Sequence, residues 1–414
     1  MRKLYALIIP LSLFFTIAKA QQNLPIDSLK MDSLGLDELL KLKSTGVSSE
    51  MEKQINEKIG VASKKPLSSR QSPSIITVIT DEEIQKSGAR DIVDVLSMVP
   101  GFTFGADVLG NLGLGVRGNW ANEGKILVLL DGQEMNETLF GNVAFGNNYP
   151  ISQIKRIEVI RGPGSAIYGG FAEYGVINII TKKGEEINGV QANALYGQMN
   201  GTYGHRNLSV SVGKKIKDFD ISLAGMIGQG NRSNQNYTDV YGNSYNMAGN
   251  SQSNPTYANL GITYKSWSMR LIYDNLNTTN RDNTTAIVSQ AYPNNFKSIF
   301  AELKYDKKIS HKFTITPKFN FKQQTPWNYT GTPSPNDSSY TYYNKTAYRY
   351  RGNVTASWDV HPSINLIFGG ETFIDHAIAR GDSSQWFVHH NSATDSSYTQ
   401  TVTYYNFAGF AQAI

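Results

Sequence analysis

Cysteine is absent from all 414 residues. Its absence excludes disulfides, thiolate metal sites, a cysteine nucleophile and a lipid-modified N-terminal cysteine. Charge is scarce as well. Charged residues make up 18% of the chain, the net balance is +5, and Lys and Arg are scattered rather than gathered into a block that could track phosphates. Nucleic acid is therefore not an expected partner. Beyond the first twenty residues no segment is apolar enough to span a bilayer as a helix, so any crossing must use strands. What the chain does contain is 11% aromatic residues, 23 of them Tyr, beside 37 Gly. That mixture suits a strand-rich polypeptide with wet loops and interfacial rings.

Residues 1–20 have a basic start at Arg2 and Lys3, an apolar run from Leu4 to Ile17, and Ala18-Lys19-Ala20 as a small-x-small cleavage site. They are expected to be a secretory signal, with the mature chain starting at Gln21. A retained anchor fits less well, because the run is short of the roughly 20 residues a spanning helix needs and Pro10 interrupts it. Residues 21–71 are polar, with the short amphipathic pieces LDELLKLK and SEMEKQINEKI, and read as a loosely ordered leader.

Residues 72–184 have the texture of a small α/β domain. SIITVIT alternates as a strand, Thr80 with Glu83 forms a capping box for a helix that Gly88 breaks, and a second helix carries Ile92, Leu96 and Val99 until Pro100-Gly101. Three apolar runs follow, around Leu127 to Leu130, around Ile157 to Ile160 and from Val176. Each is bounded by Gly or Pro, which favours buried strands over helices.

From residue 185 to residue 414 the period becomes two. Phe313, Ile315, Pro317, Phe319 and Phe321 alternate with Thr314, Thr316, Lys318, Asn320 and Lys322, one face greasy and the other wet. About ten such strands of about ten residues can be read, long enough to cross a bilayer at a tilt. The connections at 214–218, 265–266, 307–311 and 360–363 are tight, whereas 229–255, 277–297, 323–346 and 376–400 are long and polar. Short turns at one end and long loops at the other are the pattern of an outer-membrane barrel, which a soluble sandwich rarely shows.

The segment SIITVITDEEIQKSGARDIVDVLSMVPGF, then VRGNW, ILVLLDG, IKRIEVIRGPGSAIYG and GVINIITKKG, occurs in that order from Ser72 to Gly184. It resembles the plug domain of TonB-dependent outer-membrane receptors. The resemblance implies an antiparallel membrane all-β barrel of about 22 strands, of which about ten are present here, with the α/β plug inside its lumen. It implies a location in the outer membrane of a Gram-negative bacterium and a monomeric barrel in contact with outer-membrane lipid. The strand at which the chain stops lacks the aromatic terminal residue common in such barrels, so a fragment or a broken gene is expected. The family usually has a Gly pair before VINII, and this chain has Tyr174-Gly175.

The same resemblance implies import of a scarce small molecule, foremost an iron-siderophore chelate, with cobalamin or haem as alternatives. Iron would enter only as part of the ligand; no cofactor, no metal site and no catalytic set is expected. The energy would come through TonB and its inner-membrane motor proteins, which pull on a short extended segment before the plug. Ile59, Gly60, Val61, Ala62 and Ser63 are the candidate TonB box, with an ordinary linker as the competing reading and Ser44 to Ser49 as a weaker site. Arg117 and Arg161 match positions at which family plugs hold arginines paired with acids of the barrel wall; alternation turns Glu302 and Glu371 inward, but neither is the expected partner. Ligand-stacking candidates are Trp120, Phe140, Phe145 and Tyr149 in the plug and Trp327, Tyr329, Tyr342 and Tyr343 in a loop. Asp131-Gly132 reads as a turn, and His389-His390 as solvated loop. A surface binding or adhesion protein without transport is the reading of a different class.

Overall fold

Thr80 ends one element and starts the next. A computed structural model of the chain describes residues 75–106, 111–121, 123–163, 168–238, 242–280, 292–330, 342–361, 364–380 and 399–413. Strand β1 (Ile76–Thr80) runs into helix α1 (Asp81–Ser87), where the Thr80 hydroxyl accepts from the Glu83 N–H and the Glu83 carboxylate accepts from the Thr80 N–H. Gly88 closes α1 in the left-handed conformation, and Asp91 caps α2 (Ile92–Leu96) through the N–H groups of Val93 and Asp94. These are the helices the sequence predicts.

The chain then forms a small antiparallel sheet that the sequence did not disclose, β2 (Phe102–Ala106), β3 (Leu112–Val116) and β4 (Asn119–Trp120). Its Gly-rich strands have too few side chains to show a period. The main sheet consists of β5 (Ile126–Leu130), β6 (Gln133–Glu134), β7 (Ile154–Arg161) and β8 (Gly175–Thr181), in the order β1-β7-β8-β5-β6. Strands β5 and β8 are parallel and the other pairs antiparallel.

The unbroken run Ile126 to Leu130 follows from its position. Ile126, Val128 and Leu130 join a core with Ile84, Ile92 and Leu96 of the helices, while Leu127 and Leu129 pack on the other face with Ile160 and Val176. A strand covered on both faces loses its alternation. At the Tyr174-Gly175 departure, a Cβ on Gly175 would stand 2.5 Å from the Ile160 carbonyl oxygen, so the glycine is demanded there. Tyr174 has no positive φ, packs against the core and donates its N–H to the Lys125 carbonyl, so the bulky residue is accommodated without strain.

The hand-over to the second region is equally close. Helix α3 (Gly184–Ile187) offers the N–H groups of Gly184 and Glu185 to the two carboxylate oxygens of Asp220, at 2.9 and 2.8 Å. A Cβ on Gly184 would lie 2.1 Å from the Ile221 carbonyl oxygen, so only glycine permits this docking.

Ten long strands then pair with their neighbours along one curved antiparallel path. They are β9 (Gly189–Met199), β10 (Thr202–Ile216), β11 (Phe219–Gly230), β14 (Ser253–Tyr264), β15 (Trp267–Asn280), β16 (Tyr292–Tyr305), β18 (Phe313–Thr330), β20 (Lys345–His361), β21 (Ile364–Arg380) and β22 (Thr399–Ala413). A hairpin of β12 (Asn236–Thr238) and β13 (Ser244–Asn246) sits between β11 and β14, while β17 (Lys307–Lys308) and β19 (Tyr342–Tyr343) pair with β18. The strand count agrees with the sequence reading, but the lengths do not. Strand β18 has 18 residues and β20 and β21 have 17 each, because backbone pairing continues beyond the apolar band into polar residues that alternation alone assigns to loops.

The outer face shows what solvent it meets. Leu208, Val210, Val212, Leu223, Leu271, Leu303, Phe319, Val354, Trp358 and Phe368 are large, apolar and exposed. At the short-turn end, register places Phe219 opposite Tyr264, Tyr264 opposite Trp267, Trp267 opposite Tyr305, and Phe313 opposite Trp358. The Trp267 and Tyr305 rings lie 4.5 Å apart. An exposed apolar band ending in an aromatic row is the exterior of a membrane barrel. Among the described residues no helix is long and apolar enough to cross a membrane.

The inner face is not uniformly wet, contrary to the simple alternation. Met226, Tyr257, Ile272 and Phe300 point inward and join the plug core. Two cationic substitutions test the assignment of faces. Phe319→Arg should cost about 2–4 kcal/mol if it lies near the bilayer midplane, and Asn353→Arg, inward and opposite Glu371, below about 1 kcal/mol, read from urea unfolding of the complete receptor in lipid vesicles. Equal costs would invert the faces.

Candidate functional site: the contact between plug and wall

The β5–β6 hairpin carries the most concentrated chemistry in the molecule. Its turn residues Asp131 and Gly132 have φ of 50° and 83°, and Leu130 faces Gln133 across it. Two successive positive φ values make the tight hairpin turn for which Asp-Gly is suited. The sequence reading of this pair as a turn therefore holds. The turn also aims three side chains, Asp131, Gln133 and Glu134, at the barrel wall.

Asp131 is locked from both sides. Its Oδ1 accepts from the Thr181 N–H at 2.8 Å; its Oδ2 accepts from the Thr181 hydroxyl at 2.7 Å, from Arg270 Nη1 at 2.7 Å and from Asn259 Nδ2 at 3.1 Å. Thr181 belongs to the plug; Arg270 and Asn259 belong to β15 and β14. Gln133 donates to Glu302 Oε2 at 2.6 Å and accepts from Asn320 Nδ2 at 2.9 Å, while Lys318 approaches the same Glu302 oxygen at 3.3 Å.

Glu134 is the centre of the cluster. Its Oε1 meets Lys322 Nζ at 3.1 Å and Arg349 Nη1 at 2.9 Å, and its Oε2 meets Arg351 Nη2 at 2.8 Å. Arg349 is held in turn by Asp375 through a bidentate pair at 2.6 and 2.7 Å, and its guanidinium lies 4.4 Å from the Phe373 ring centroid. Burial alone would push the Glu134 carboxyl up, but the combined attraction of Lys322, Arg351 and Arg349 outweighs it and holds the group far below the usual carboxylate range. In low dielectric such a cluster is stabilising only while it is complete.

Toward β10 the contact is different. Asn147 and Asn207 exchange amide hydrogen bonds at 2.8 and 2.6 Å, and beside them lies a cavity of about 180 Å³ between the plug and β9 to β11. The plug is thus tied by charge to β15 through β21 and by neutral amides to β10.

The residues singled out in the sequence are distributed otherwise than expected. Arg117 is exposed and donates Nη2 to the Arg161 carbonyl oxygen at 3.2 Å, and among the described residues neither arginine forms an ion pair with the wall. The polarity is reversed, with acids on the plug and cations on the wall, because the hairpin rather than either arginine reaches the barrel. Glu302 does face the plug, but through Gln133. Phe145 and Tyr149 are buried, Phe145 edge-on to Phe104 at 5.5 Å and Tyr149 edge-on to Tyr257 at 5.7 Å, so both are packing. Trp327 is buried against Phe296 at 4.9 Å. Trp120 and Phe140 remain available, 42% and 47% exposed, and Lys345 Nζ stands 5.9 Å from the Phe140 ring centroid. Tyr329, Tyr342 and Tyr343 lie by backbone in the β18–β19 pairing rather than in a loop, and their side chains lie outside what is described. The residues from Ile59 to Ser63 and the pair His389-His390 lie outside the described residues. Among the described residues no three His, Cys, Asp or Glu side chains converge as a metal site.

Sequence reasoning missed the role of Gln133 and Glu134. The available signal was the inward parity of Arg270, Lys322, Arg349 and Arg351, four cations on the face that the plug covers. Removing the charge at Glu134 leaves Lys322 and Arg351 without their carboxylate and Arg349 with Asp375 alone, so Glu134→Gln should weaken plug docking by about 3–5 kcal/mol, whereas Arg117→Ala should leave it unchanged; the urea midpoint for loss of protease protection of the plug reads both. The docked Glu134 carboxyl titrates below an undocked one, near 4.3, so its contribution is complete above about pH 4.3 and is lost as the pH falls through the docked value. Protection should therefore hold from pH 7 to about 5 and fall in stronger acid, and a loss already at about pH 6 would contradict the assignment.

Residues 68–176 match the family described as TonB-dependent Receptor Plug Domain. The chain is 38% identical over 120 residues to the vitamin B12 transporter BtuB of Vibrio vulnificus, a match covering 27% of this chain and 18% of that protein. Among solved structures it is similar to the ferric enterobactin receptor PfeA of Pseudomonas aeruginosa, with a TM-score of 0.59, 16% identity, and coverage of 83% of this chain and 55% of that one. It is also similar to the ferric-catecholate import receptor Fiu of E. coli K12, with a TM-score of 0.58, 16% identity, and coverage of 84% and 58%. At that identity the likeness is one of fold, and the chain spans little more than half the length of those structures. Residues 68–176 thus carry the plug domain of TonB-dependent receptors, and the strands that follow share the fold of those receptor structures.

Proposed function

We propose that this chain provides the plug and barrel wall of an outer-membrane importer of a scarce ligand, foremost an iron-siderophore chelate. The observation that supports import is the way the plug is fastened. Its core runs onto the inner wall through Met226, Tyr257, Ile272 and Phe300, and the Asp131-to-Glu134 hairpin is clamped by wall cations. Passage requires the plug to move, and movement requires work against buried charge pairs. TonB, driven by its inner-membrane partners, is the source of that work. Its point of attachment is the segment from Ile59 to Ser63, where an extended backbone would pair with TonB as an added strand.

The ligand class rests on surface chemistry. Phe140 and Trp120 are exposed rings, and the Lys345 ammonium stands over the first of them. Ring and cation together suit an anionic chelate with aromatic ligands. A corrinoid is the second reading, carried by the 38% identity of the plug to a vitamin B12 transporter.

Growth separates the two ligands. A strain dependent on the complete gene should grow on a ferric catecholate as iron source, and growth restored by cobalamin alone would favour the corrinoid. Val61→Pro removes one backbone N–H and fixes φ in the proposed pairing segment. Surface binding of the ferric chelate should persist in that variant while energised uptake falls to background. Retained uptake would make the segment a linker, and retained binding with no uptake in the unaltered receptor would favour an adhesion role.

A further inference from the structure

A second polar seam between plug and wall forms no ion pair among the described residues. The plug loop after β6 folds back on itself: the Glu137 N–H donates to the Asn142 carbonyl at 2.8 Å and the Gly141 N–H to the Glu137 carbonyl at 3.0 Å. The Glu137 carboxylate accepts from the N–H groups of Leu139 at 2.7 Å, Asn142 at 3.4 Å and Phe140. Facing this loop, Asp274 of β15 accepts from the Tyr149 hydroxyl at 3.2 Å through Oδ2. Between them lies a cavity of about 40 Å³ lined by Glu137, Asn142, Asn148, Tyr149 and Asp274.

Three side-chain oxygens in that lining are buried and accept no hydrogen bond: Asn142 Oδ1, Asn148 Oδ1 and Asp274 Oδ1. Asn148 is 1% exposed, and its Nδ2 donates to the Ala144 carbonyl at 2.8 Å, which sets the amide orientation and leaves Oδ1 as the free atom. Neither Glu137 nor Asp274 forms an ion pair among the described residues. Lys297 borders the cavity, but it alternates with Ser298, the residue opposite Asp274, and its ammonium stands 5.9 Å from the Tyr273 ring centroid on the other face of the sheet.

The site therefore combines Asp274, a carboxylate with no ion pair among the described residues and one free oxygen, Glu137, which feels only the attraction of Lys322 from the neighbouring cluster, and two amide oxygens without donors. Water could satisfy the free acceptors but would leave the charge uncompensated. A hard cation answers both. Calcium takes about six to eight oxygens at about 2.3–2.6 Å, from carboxylates, amide carbonyls and water. Four side chains supply oxygens here, and the cavity has room for one or two waters besides.

We propose that Glu137, Asn142, Asn148 and Asp274 form a calcium-class cation site that ties the plug loop to β15. The complete receptor, purified in detergent and stripped with EGTA, is titrated with Tb³⁺ and the emission excited through tyrosine, since Tyr149 is in contact with Asp274. Bound Tb³⁺ should be displaced by Ca²⁺. Asp274→Asn should weaken Tb³⁺ binding at least tenfold, and Asn148→Asp, which adds a third carboxylate, should tighten it. Equal affinities in the unaltered protein and in Asn148→Asp would overturn the proposal and leave the cavity to water. That second variant decides the matter even if Asp274→Asn fails to assemble. The readout is cation binding rather than uptake, so its failure is distinct from failure of the transport reading.

Discussion

One carboxylate facing three cations organises this molecule. Glu134 stands at the end of a two-residue strand, and Lys322, Arg349 and Arg351 approach it from two neighbouring strands of the wall. None of the four could be buried alone without a large desolvation cost, so each makes the others permissible. The same arithmetic makes the contact close to all-or-none, since withdrawing the hairpin exposes three like charges to one another. A plug fastened in this way rests stably in the lumen and yields only to a force that breaks the cluster as a unit.

The fastening is uneven around the plug, and that unevenness has a mechanical meaning. On the side of β15 to β21 the contacts are ionic, through Asp131 with Arg270 and Glu134 with its three cations. On the side of β10 the hydrogen bonds come from amides beside a cavity, Asn147 exchanging with Asn207 and Gln153 Nε2 donating to the Val210 carbonyl at 3.4 Å, with Asp91 of the plug facing His205. Neutral amides exchange for water at far lower cost than desolvated ion pairs do.

The wall itself obeys two solvents at once. Its outer face is apolar and ends in an aromatic row, as lipid and interface require. Its inner face is largely polar, and it is apolar at Met226, Tyr257, Ile272 and Phe300, which meet the plug core. Those four residues break the alternation because the plug, not water, is the medium they face. The aromatic residues divide as well: Phe145 packs on Phe104 within the plug, Tyr149 on Tyr257 of the wall, and Trp120 and Phe140 are left exposed.

Much of this architecture was legible from local patterns. The capping box at Thr80, the stop at Gly88, the doubly covered run from Ile126 to Leu130, the tight turns and the ten alternating strands all depend on residues a few positions apart, and their physics is complete within a short window. The Asp131-Gly132 turn was readable for that reason. The partners of the turn were not. Glu134 meets Arg351 across 217 positions of sequence and Asp131 meets Arg270 across 139, distances over which no period or motif speaks. Parity places Arg270, Lys322, Arg349 and Arg351 on the inner face, but only the depth at which the plug seats decides which plug residue they find. That depth is set by the shape of two packed surfaces, and so the choice of Glu134 over Arg117 and Arg161 belonged to the tertiary structure alone.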